Sequence, residues 1–137
     1  MSTDQDIWTG GCACGHIRYE ASQRPADPGY CHCATCRKSA GAPVMAFADV
    51  ALAAFRYTSG TPAVFRSSER GERRFCPLCG TQLDFRFSGA DVVEVSIASL
   101  DRADELAPQS HHWHADRLPW FETADSLPRF AQDPDAS

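Results

Sequence analysis

Long apolar runs are missing from this sequence of 137 residues. A helix that crosses a bilayer needs about 20 consecutive apolar residues, and no segment comes near that length. The first residues, Met1 to Asp6, carry neither a basic start nor an apolar stretch, so no secretory signal is expected. These absences predict a protein that does not enter a membrane and resides in the cytoplasm.

Basic residues are also scarce. The chain has 13 Lys and Arg against 18 Asp and Glu, which gives a formal net charge of −5. Proteins that bind nucleic acid normally present a basic stripe to the phosphates, and this composition does not indicate one. We therefore expect no nucleic acid partner and no attraction to anionic membranes.

No repeat, low-complexity tract or linker divides the chain. A length of 137 residues is that of one domain, so we predict a single domain over 1–137 with its core at about 8–130. The polar end of the chain, about 132–137, contains Pro134 and is predicted to be disordered.

The pattern of apolar residues indicates short strands rather than helices. Apolar and polar residues alternate over 83–87 and 93–97, which is typical of half-buried antiparallel strands with Asp84 and Arg86 on the outer face. Other segments of strand length are 17–20, 43–48, 55–58 and 63–66, the last followed by a polar run through Gly71 that favours a hairpin. Prolines and a glycine predict a turn at 24–29. Helical turns are expected only at 49–55 and after Cys33, so the predicted fold class is all-β.

Cysteine is the residue in excess. The seven cysteines fall into three groups, Cys12-Ala13-Cys14, Cys31-His32-Cys33-Ala34-Thr35-Cys36 and Cys76-Pro77-Leu78-Cys79-Gly80. Disulfides are rare in reducing compartments, so closely spaced cysteines there indicate metal ligands. Residues two apart on a strand point the same way, and the C-P-x-C-G pattern is a zinc knuckle. The expected metal is therefore Zn²⁺.

Two pairs and one triplet divide the seven thiols into two zinc sites. A closed structural site is predicted from the pairs, whose ligands would be Cys12, Cys14, Cys76 and Cys79. A second, catalytic site is predicted from the triplet of Cys31, Cys33 and Cys36. Three protein ligands leave the fourth tetrahedral position to water or substrate, which is the mark of a catalytic zinc.

Other interpretations of the triplet stay open. One of His32, His111, His112 and His114 could close it into a second structural site, although His32 lies between two ligands and should point away and pack. Redox sensing by the C-x-x-C pairs is less favoured, because no thioredoxin-like βαβ pattern surrounds them. Metal storage or sensing is a further option. Arg37 and Lys38 could lower thiolate pKa values and attract an anionic substrate, or form a solvated turn.

The cysteine segments resemble those of a known family. Residues 11–19 (GCACGHIRY), 31–43 (CHCATCRKSAGAP) and 74–83 (RFCPLCGTQL) are similar to the glutathione-dependent formaldehyde-activating (GFA) family, whose domain is shared by centromere protein V. The similarity runs from about Gly10 to Phe130, and all seven cysteines fall in the family pattern.

The resemblance implies coiled antiparallel sheets bound by zinc, with the structural and catalytic ligands assigned as above. It also implies an enzyme that condenses formaldehyde with glutathione to S-hydroxymethylglutathione, formally a carbon–sulfur lyase run backwards. The expected partner is a small-molecule thiol or thiol–aldehyde adduct such as that of glutathione. Trp113, Trp120 and Phe121 could line a substrate cleft, although such aromatic residues are more often core. The alternative is a non-catalytic, zinc-stabilised binding module.

Overall fold

A computed structural model describes residues 7–134 of the chain. This part contains ten β-strands: β1 (Trp8–Gly11), β2 (Arg18–Ala21), β3 (Ala26–Cys31), β4 (Met45–Ala51), β5 (Phe55–Ser59), β6 (Ala63–Arg66), β7 (Gly71–Phe75), β8 (Gln82–Phe87), β9 (Val92–Ser96) and β10 (His111–His112). One helix, α1, spans Ala34–Ala40, and short 3₁₀ turns occupy Leu52–Ala54, Ile97–Ser99, Ala103–Glu105 and His114–Asp116. The predicted all-β class with short helical turns is confirmed.

The strands form two sheets. The small sheet has the order β1-β2-β5, and the large sheet has the order β10-β3-β4-β9-β8-β7-β6. Neighbouring strands pair antiparallel, except that β10 runs parallel to β3. The hairpin predicted after residues 63–66 is confirmed, because β6 and β7 pair directly across the polar turn.

The turn predicted at 24–29 is wrong. Strand β3 already begins at Ala26, and its pairing with β4 is irregular between Ala26 and Gly29. Asp27 has a φ of 50°, in the left-handed region. Pro28 has no N–H to offer a sheet, which suits such a break in the ladder. Pairing with β4 therefore outweighs the local preference of these residues for a turn.

The hydrophobic core draws side chains from both sheets. One cluster of buried residues joins Trp8, Tyr19 and Phe55 of the small sheet to Val50, Leu83, Val93 and Val95 of the large sheet. Successive side chains of a strand point to opposite faces, so the alternation predicted over 93–97 places Val93 and Val95 in this core.

The alternation predicted over 83–87 is only partly correct. Asp84 is fully buried, whereas Phe87 is 45% exposed. Arg86 and Arg74 form ion pairs with the Asp84 carboxylate, and the Tyr57 hydroxyl donates a hydrogen bond to it. These partners offset the cost of removing the carboxylate from water, so a polar residue expected on the outside lies inside.

The strand register places one row of side chains across the other face of the large sheet. Phe65 pairs with Arg73, Arg73 with Phe85, Phe85 with Glu94, and Glu94 with Asp49. Residues directly opposite each other in a ladder point to the same face. We call these five residues the transverse row.

The described end of the chain contacts Trp113. The Trp113 backbone N–H donates to the carbonyl of Gln132 at 3.2 Å, and its indole Nε1 donates to Asp133 at 3.0 Å. Positions 135–137 of the predicted disordered tail lie outside the described residues, and the single domain over 1–137 stays a prediction. Within residues 7–134, no helix has the length and apolar character needed to span a membrane.

Candidate metal centre

Four cysteines from distant parts of the chain meet in one cluster, which we call the tetrad: Cys12, Cys14, Cys76 and Cys79. Their Sγ atoms all lie within 4.8 Å of one another. The Sγ atoms of Cys12 and Cys14 are 3.5 Å apart, and those of Cys14 and Cys76 are 3.8 Å apart. Thiolates bound tetrahedrally to zinc at about 2.3 Å are separated by about 3.8 Å, whereas disulfide sulfurs are about 2.05 Å apart. The tetrad therefore fits a four-thiolate metal site.

Tight turns position the tetrad thiols. Gly80 adopts a φ of 79°, and its N–H donates to the carbonyl of Cys76 at 2.8 Å, which closes the turn that carries Cys76 and Cys79. The N–H of Cys79 points at Sγ of Cys76 from 3.4 Å. Thr81 joins this turn to the segment that carries Cys12 and Cys14. Its hydroxyl accepts from the N–H of Ala13 at 3.0 Å and lies 3.2 Å from Sγ of Cys79.

The other three cysteines, Cys31, Cys33 and Cys36, form a second cluster, which we call the triplet. Their Sγ atoms also lie within 4.8 Å of one another, and those of Cys31 and Cys33 are 3.5 Å apart. Cys31 ends β3, Cys33 caps α1, and Sγ of Cys33 accepts from the N–H of Cys36 at 3.4 Å. A strand end followed at once by a helix start therefore brings three thiols together.

No histidine joins the triplet among residues 7–134. His32 is buried and points towards His111, with its Nε2 2.8 Å from Nδ1 of His111. Nε2 of His111 in turn lies 3.1 Å from the carboxylate of Asp125. This chain of rings agrees with the packing role predicted for His32, and it gives no support to closure of the triplet by a histidine.

The close thiols in each cluster share protons. Hydrogen bonding from Cys31 and Cys36 lowers the pKa of Cys33 to about 2, whereas the pKa of Cys31 is raised because its thiol proton bonds Cys33 and Cys36. In the tetrad, the Thr81 hydroxyl and backbone lower the pKa of Cys79 to about 5. Further thiolates at this spacing would repel one another unless a cation lay between them. Both donor sets thus fit a thiophilic divalent ion such as zinc.

A cavity of about 410 Å³ opens beside the triplet. The triplet thiols form one wall, and Arg73, Phe85 and Glu94 of the transverse row form the floor. Met45 and Phe47 add apolar surface. This volume is in the range of small-molecule sites, and the mixture of apolar walls with a few polar groups is typical of them.

Four charged residues line the cavity without having been predicted from the sequence: Arg73, Glu94, Asp116 and Asp133. Arg73 and Glu94 come from the large sheet. Arg73 is only 5% exposed, and its Nη2 donates to Sγ of Cys36 at 3.6 Å. Burial raises the pKa of Glu94 to about 8, assisted by the negative charges of Asp49 and Asp133. Both residues are ordinary members of alternating strands, so only the register of the sheet could have revealed them.

Only some of the other side chains predicted to serve the site border the cavity. Trp113 and His112 line the cavity, but Trp120 is 71% exposed and neither it nor Phe121 is part of the lining. Arg37 donates through Nε to the carbonyl of His32 at 3.0 Å.

Comparison with known proteins agrees with this geometry. A family model described as "Glutathione-dependent formaldehyde-activating enzyme" matches residues 7–116. The chain belongs to this GFA family. The matched part of the GFA chain includes all seven cysteines of the tetrad and the triplet, and the resemblance seen in the sequence is confirmed.

Two individual proteins are similar to this GFA chain. One, from Schizosaccharomyces pombe, is described as an uncharacterized lyase and is 32% identical over 81 residues, which cover 59% of this chain and 58% of that protein. The chain thus matches less than two thirds of that relative's length. The other is a Rhodobacter sphaeroides protein of known crystal structure, with a TM-score of 0.58 at 25% identity, over 68% of this chain and 87% of the other.

Proposed function

We propose that this GFA protein is a zinc-dependent carbon–sulfur lyase of the cytoplasm that acts on a thiol–aldehyde adduct such as S-hydroxymethylglutathione. The observation that carries the proposal is the position of the triplet in the wall of the cavity of about 410 Å³. The tetrad offers four thiols and would enclose its ion, while the triplet offers three beside a space for a ligand. Membership of the GFA family and the lyase description of the relative add support.

The two clusters have separate roles in this proposal. The tetrad, Cys12, Cys14, Cys76 and Cys79, holds the structural zinc, and the triplet, Cys31, Cys33 and Cys36, holds the catalytic zinc. A zinc ion at the triplet would supply Lewis acidity, which turns a substrate thiol into a thiolate or polarises an aldehyde oxygen. Because three cysteine thiolates already donate strongly, delivery of the substrate thiolate is favoured over activation of the carbonyl.

The reaction needs one proton transfer and no oxidant. A bond forms between the thiol sulfur and the aldehyde carbon, the carbonyl becomes a hydroxyl group, and the thiol proton ends on that oxygen. Glu94 lines the cavity and keeps its proton near neutral pH because its pKa is raised to about 8. Its carboxyl group can therefore relay this net transfer: it gives its own proton to the aldehyde oxygen in the condensation and is restored by the proton that the thiol releases, and the cleavage runs the same transfers in reverse.

The test compares the zinc-loaded protein with the Cys33→Ser variant. The rate of exchange between formaldehyde, glutathione and their adduct, measured by NMR above the uncatalysed rate, should fall to background in the variant. Metal analysis should show one zinc ion fewer per chain. The control is Ala40→Ser, which should keep the wild-type rate, because Ala40 is exposed at the other end of α1, the helix that Cys33 caps.

A variant that loses one zinc ion and keeps its turnover would refute the catalytic assignment of the triplet. If the wild-type protein itself gave no exchange with any small thiol, the lyase proposal would fail. Salt-sensitive binding to DNA in that case would favour the non-catalytic binding module.

A further inference from the structure

Two neighbouring arginines of β7 have opposite surroundings. Arg73 and Arg74 point to opposite faces of the large sheet, as successive residues of a strand do. Arg74 has carboxylate partners, with Glu72 at 3.2 Å and Asp84 at 3.8 Å. Arg73 is more deeply buried and has no carboxylate within ion-pair distance among residues 7–134. A buried charge without compensation is costly, so another negative group must balance the guanidinium.

The triplet is the negative group nearest to Arg73. The guanidinium reaches Sγ of Cys36 through Nη2 at 3.6 Å, while Nε and Nη1 are buried without a hydrogen-bond partner among the described residues. Its other close contact is the ring of Phe85, whose centroid lies 4.7 Å from the guanidinium carbon. Strand pairing fixes this position, because Arg73 lies between Phe65 and Phe85 in the transverse row.

The charge of the triplet explains what this cation can do. Three thiolates around a divalent ion carry one net negative charge, and a fourth thiolate would add a second. Accumulated charge of one sign is expensive in a half-buried site, so a neutral ligand would be preferred there. A fixed positive charge at the same site cancels one of these charges and makes an anionic ligand acceptable.

We propose that Arg73 is a positioning residue of the triplet, whose guanidinium offsets the charge of the three thiolates and so admits a fourth, anionic ligand to the metal position. The ligand class is a small thiolate, and that identity rests on the proposed function. The charge compensation itself rests on burial and distance alone.

The other cations near the triplet do not share this geometry. Lys38 is exposed on α1, two residues after Cys36. Its charge is close to the triplet in sequence, but it is in contact with solvent, so water and salt screen it. Lys38→Gln is therefore a matched control for Arg73→Gln.

The experiment uses the full chain loaded with cobalt(II), whose thiolate charge-transfer bands report the ligands of the metal. Two probes that bind a metal as anions are titrated into the wild type, Arg73→Gln, Arg73→Lys and Lys38→Gln: azide, which is already an anion, and 2-mercaptoethanol, which binds as a thiolate and releases its thiol proton to the buffer. Arg73→Gln should weaken both probes by about ten- to a hundredfold, as expected for loss of a nearby charge in a half-buried site. Arg73→Lys should recover most of the affinity, and Lys38→Gln should stay within about twofold of the wild type.

Metal affinity separates charge compensation from a structural role. Removal of a nearby cation should leave the triplet ion bound at least as tightly, measured by competition with a chromophoric chelator. Weaker metal binding in Arg73→Gln would indicate a merely structural residue and would overturn the proposal. Arg73→Met tests the same charge loss should Arg73→Gln not fold.

The two probes also separate this inference from the proposed function. Equal affinity of the wild type and Arg73→Gln for both probes would overturn the role of Arg73 and leave the lyase proposal intact. Azide binding that depends on Arg73, together with no thiol binding by the wild type, would support Arg73 and refute the lyase proposal. Failure of both probes to bind the wild type would refute both.

Discussion

The tetrad and the triplet are built from the same side chain but draw it from the chain in different ways. The tetrad joins thiols that are far apart in the chain, since Cys14 and Cys76 are separated by 62 positions. The triplet takes its thiols from the short segment 31–36. An ion bound by the tetrad closes a long loop and so restricts the unfolded chain, whereas an ion bound by the triplet closes almost none. This difference in ligand separation along the chain fits the structural and catalytic roles proposed for the two clusters.

The two clusters also differ in the groups that surround their thiols. Backbone N–H groups and the Thr81 hydroxyl approach the tetrad thiols, so the turns themselves supply its polar contacts. The triplet instead borders a cavity lined by Arg73, which has no carboxylate in ion-pair contact among residues 7–134, and by Glu94, whose pKa is raised. Groups in such states are common at functional sites and unfavourable for stability.

The largest effect is expected from Cys76→Ser. This thiol is fully buried in the tetrad, and structural zinc contributes about 10 kcal/mol or more, which is comparable to the whole stability of a domain. The variant should lose its near-ultraviolet circular dichroism and bind no ion at the tetrad. Leu78→Ser, at a 71% exposed position of the same turn, should keep the fold. A Cys76→Ser protein with wild-type melting behaviour would abolish the contrast between the clusters.

A chelator should remove the zinc ions of the triplet and the tetrad at different rates. A chelator can attack the triplet ion through its open position, so one zinc ion per chain should leave first, with loss of turnover and retention of circular dichroism. A chromophoric chelator measures the two phases. The Cys33→Ser variant provides the reference, because it should lack the fast phase. A fast phase that persists in this variant would assign the labile ion to the tetrad.

Glu94→Gln should change the pH dependence of stability. The pKa of Glu94 is raised from 4.5 to about 8 in the folded protein, so the folded state keeps a proton that the unfolded state releases. Stability should therefore fall as pH rises from about 4.5 to 8, and the variant should be more stable than the wild type at pH 8 by about 2–4 kcal/mol. Below pH 4.5 this difference should vanish.

Urea unfolding of the zinc-loaded proteins at several pH values measures this difference. Glu69→Gln, an exposed position, is the matched control and should follow the wild type. In turnover, Glu94→Gln should also lose the decline above about pH 8 that ionisation of its carboxyl group would cause. Parallel pH profiles of Glu94→Gln and wild type would show that the carboxyl is not the proton donor.

The smallest effect is expected from Thr81→Val. The substitution removes the acceptor of the Ala13 N–H and the hydroxyl contact to Cys79, at a cost of about 1 kcal/mol. The melting temperature should fall by several degrees, with no change in azide binding at the triplet. Thr61→Val, at an exposed position, should leave both quantities unchanged. Weaker azide binding in Thr81→Val would show that the two clusters are energetically coupled.

Local features of the molecule were accessible from the sequence. The segments 55–58 and 63–66 are strands within a residue of their predicted bounds, because apolar runs ending in turn residues are a local signal. The grouping of the seven thiols also followed from spacing, since each pair or triplet is held by one turn or one helix start.

Features that depend on pairing between distant strands were not accessible. Arg73 and Glu94 meet on one face only because β7, β8 and β9 are neighbours in the sheet. Asp84 is inside because Tyr57, from the small sheet, reaches it. The parallel pairing of β10 with β3, which stacks His111 on His32, joins residues about eighty positions apart, and no local pattern specifies it.

The transverse row has a consequence for how such a protein can change over time. On β4, β8 and β9 its members alternate with buried residues that face the core, so a substitution at Phe85 alters the cavity floor while the interior stays as it was. Selection on ligand preference and selection on foldability therefore act on separate positions of the same strands. A scaffold arranged in this way can acquire new substrates by single exchanges, without passing through unstable intermediates.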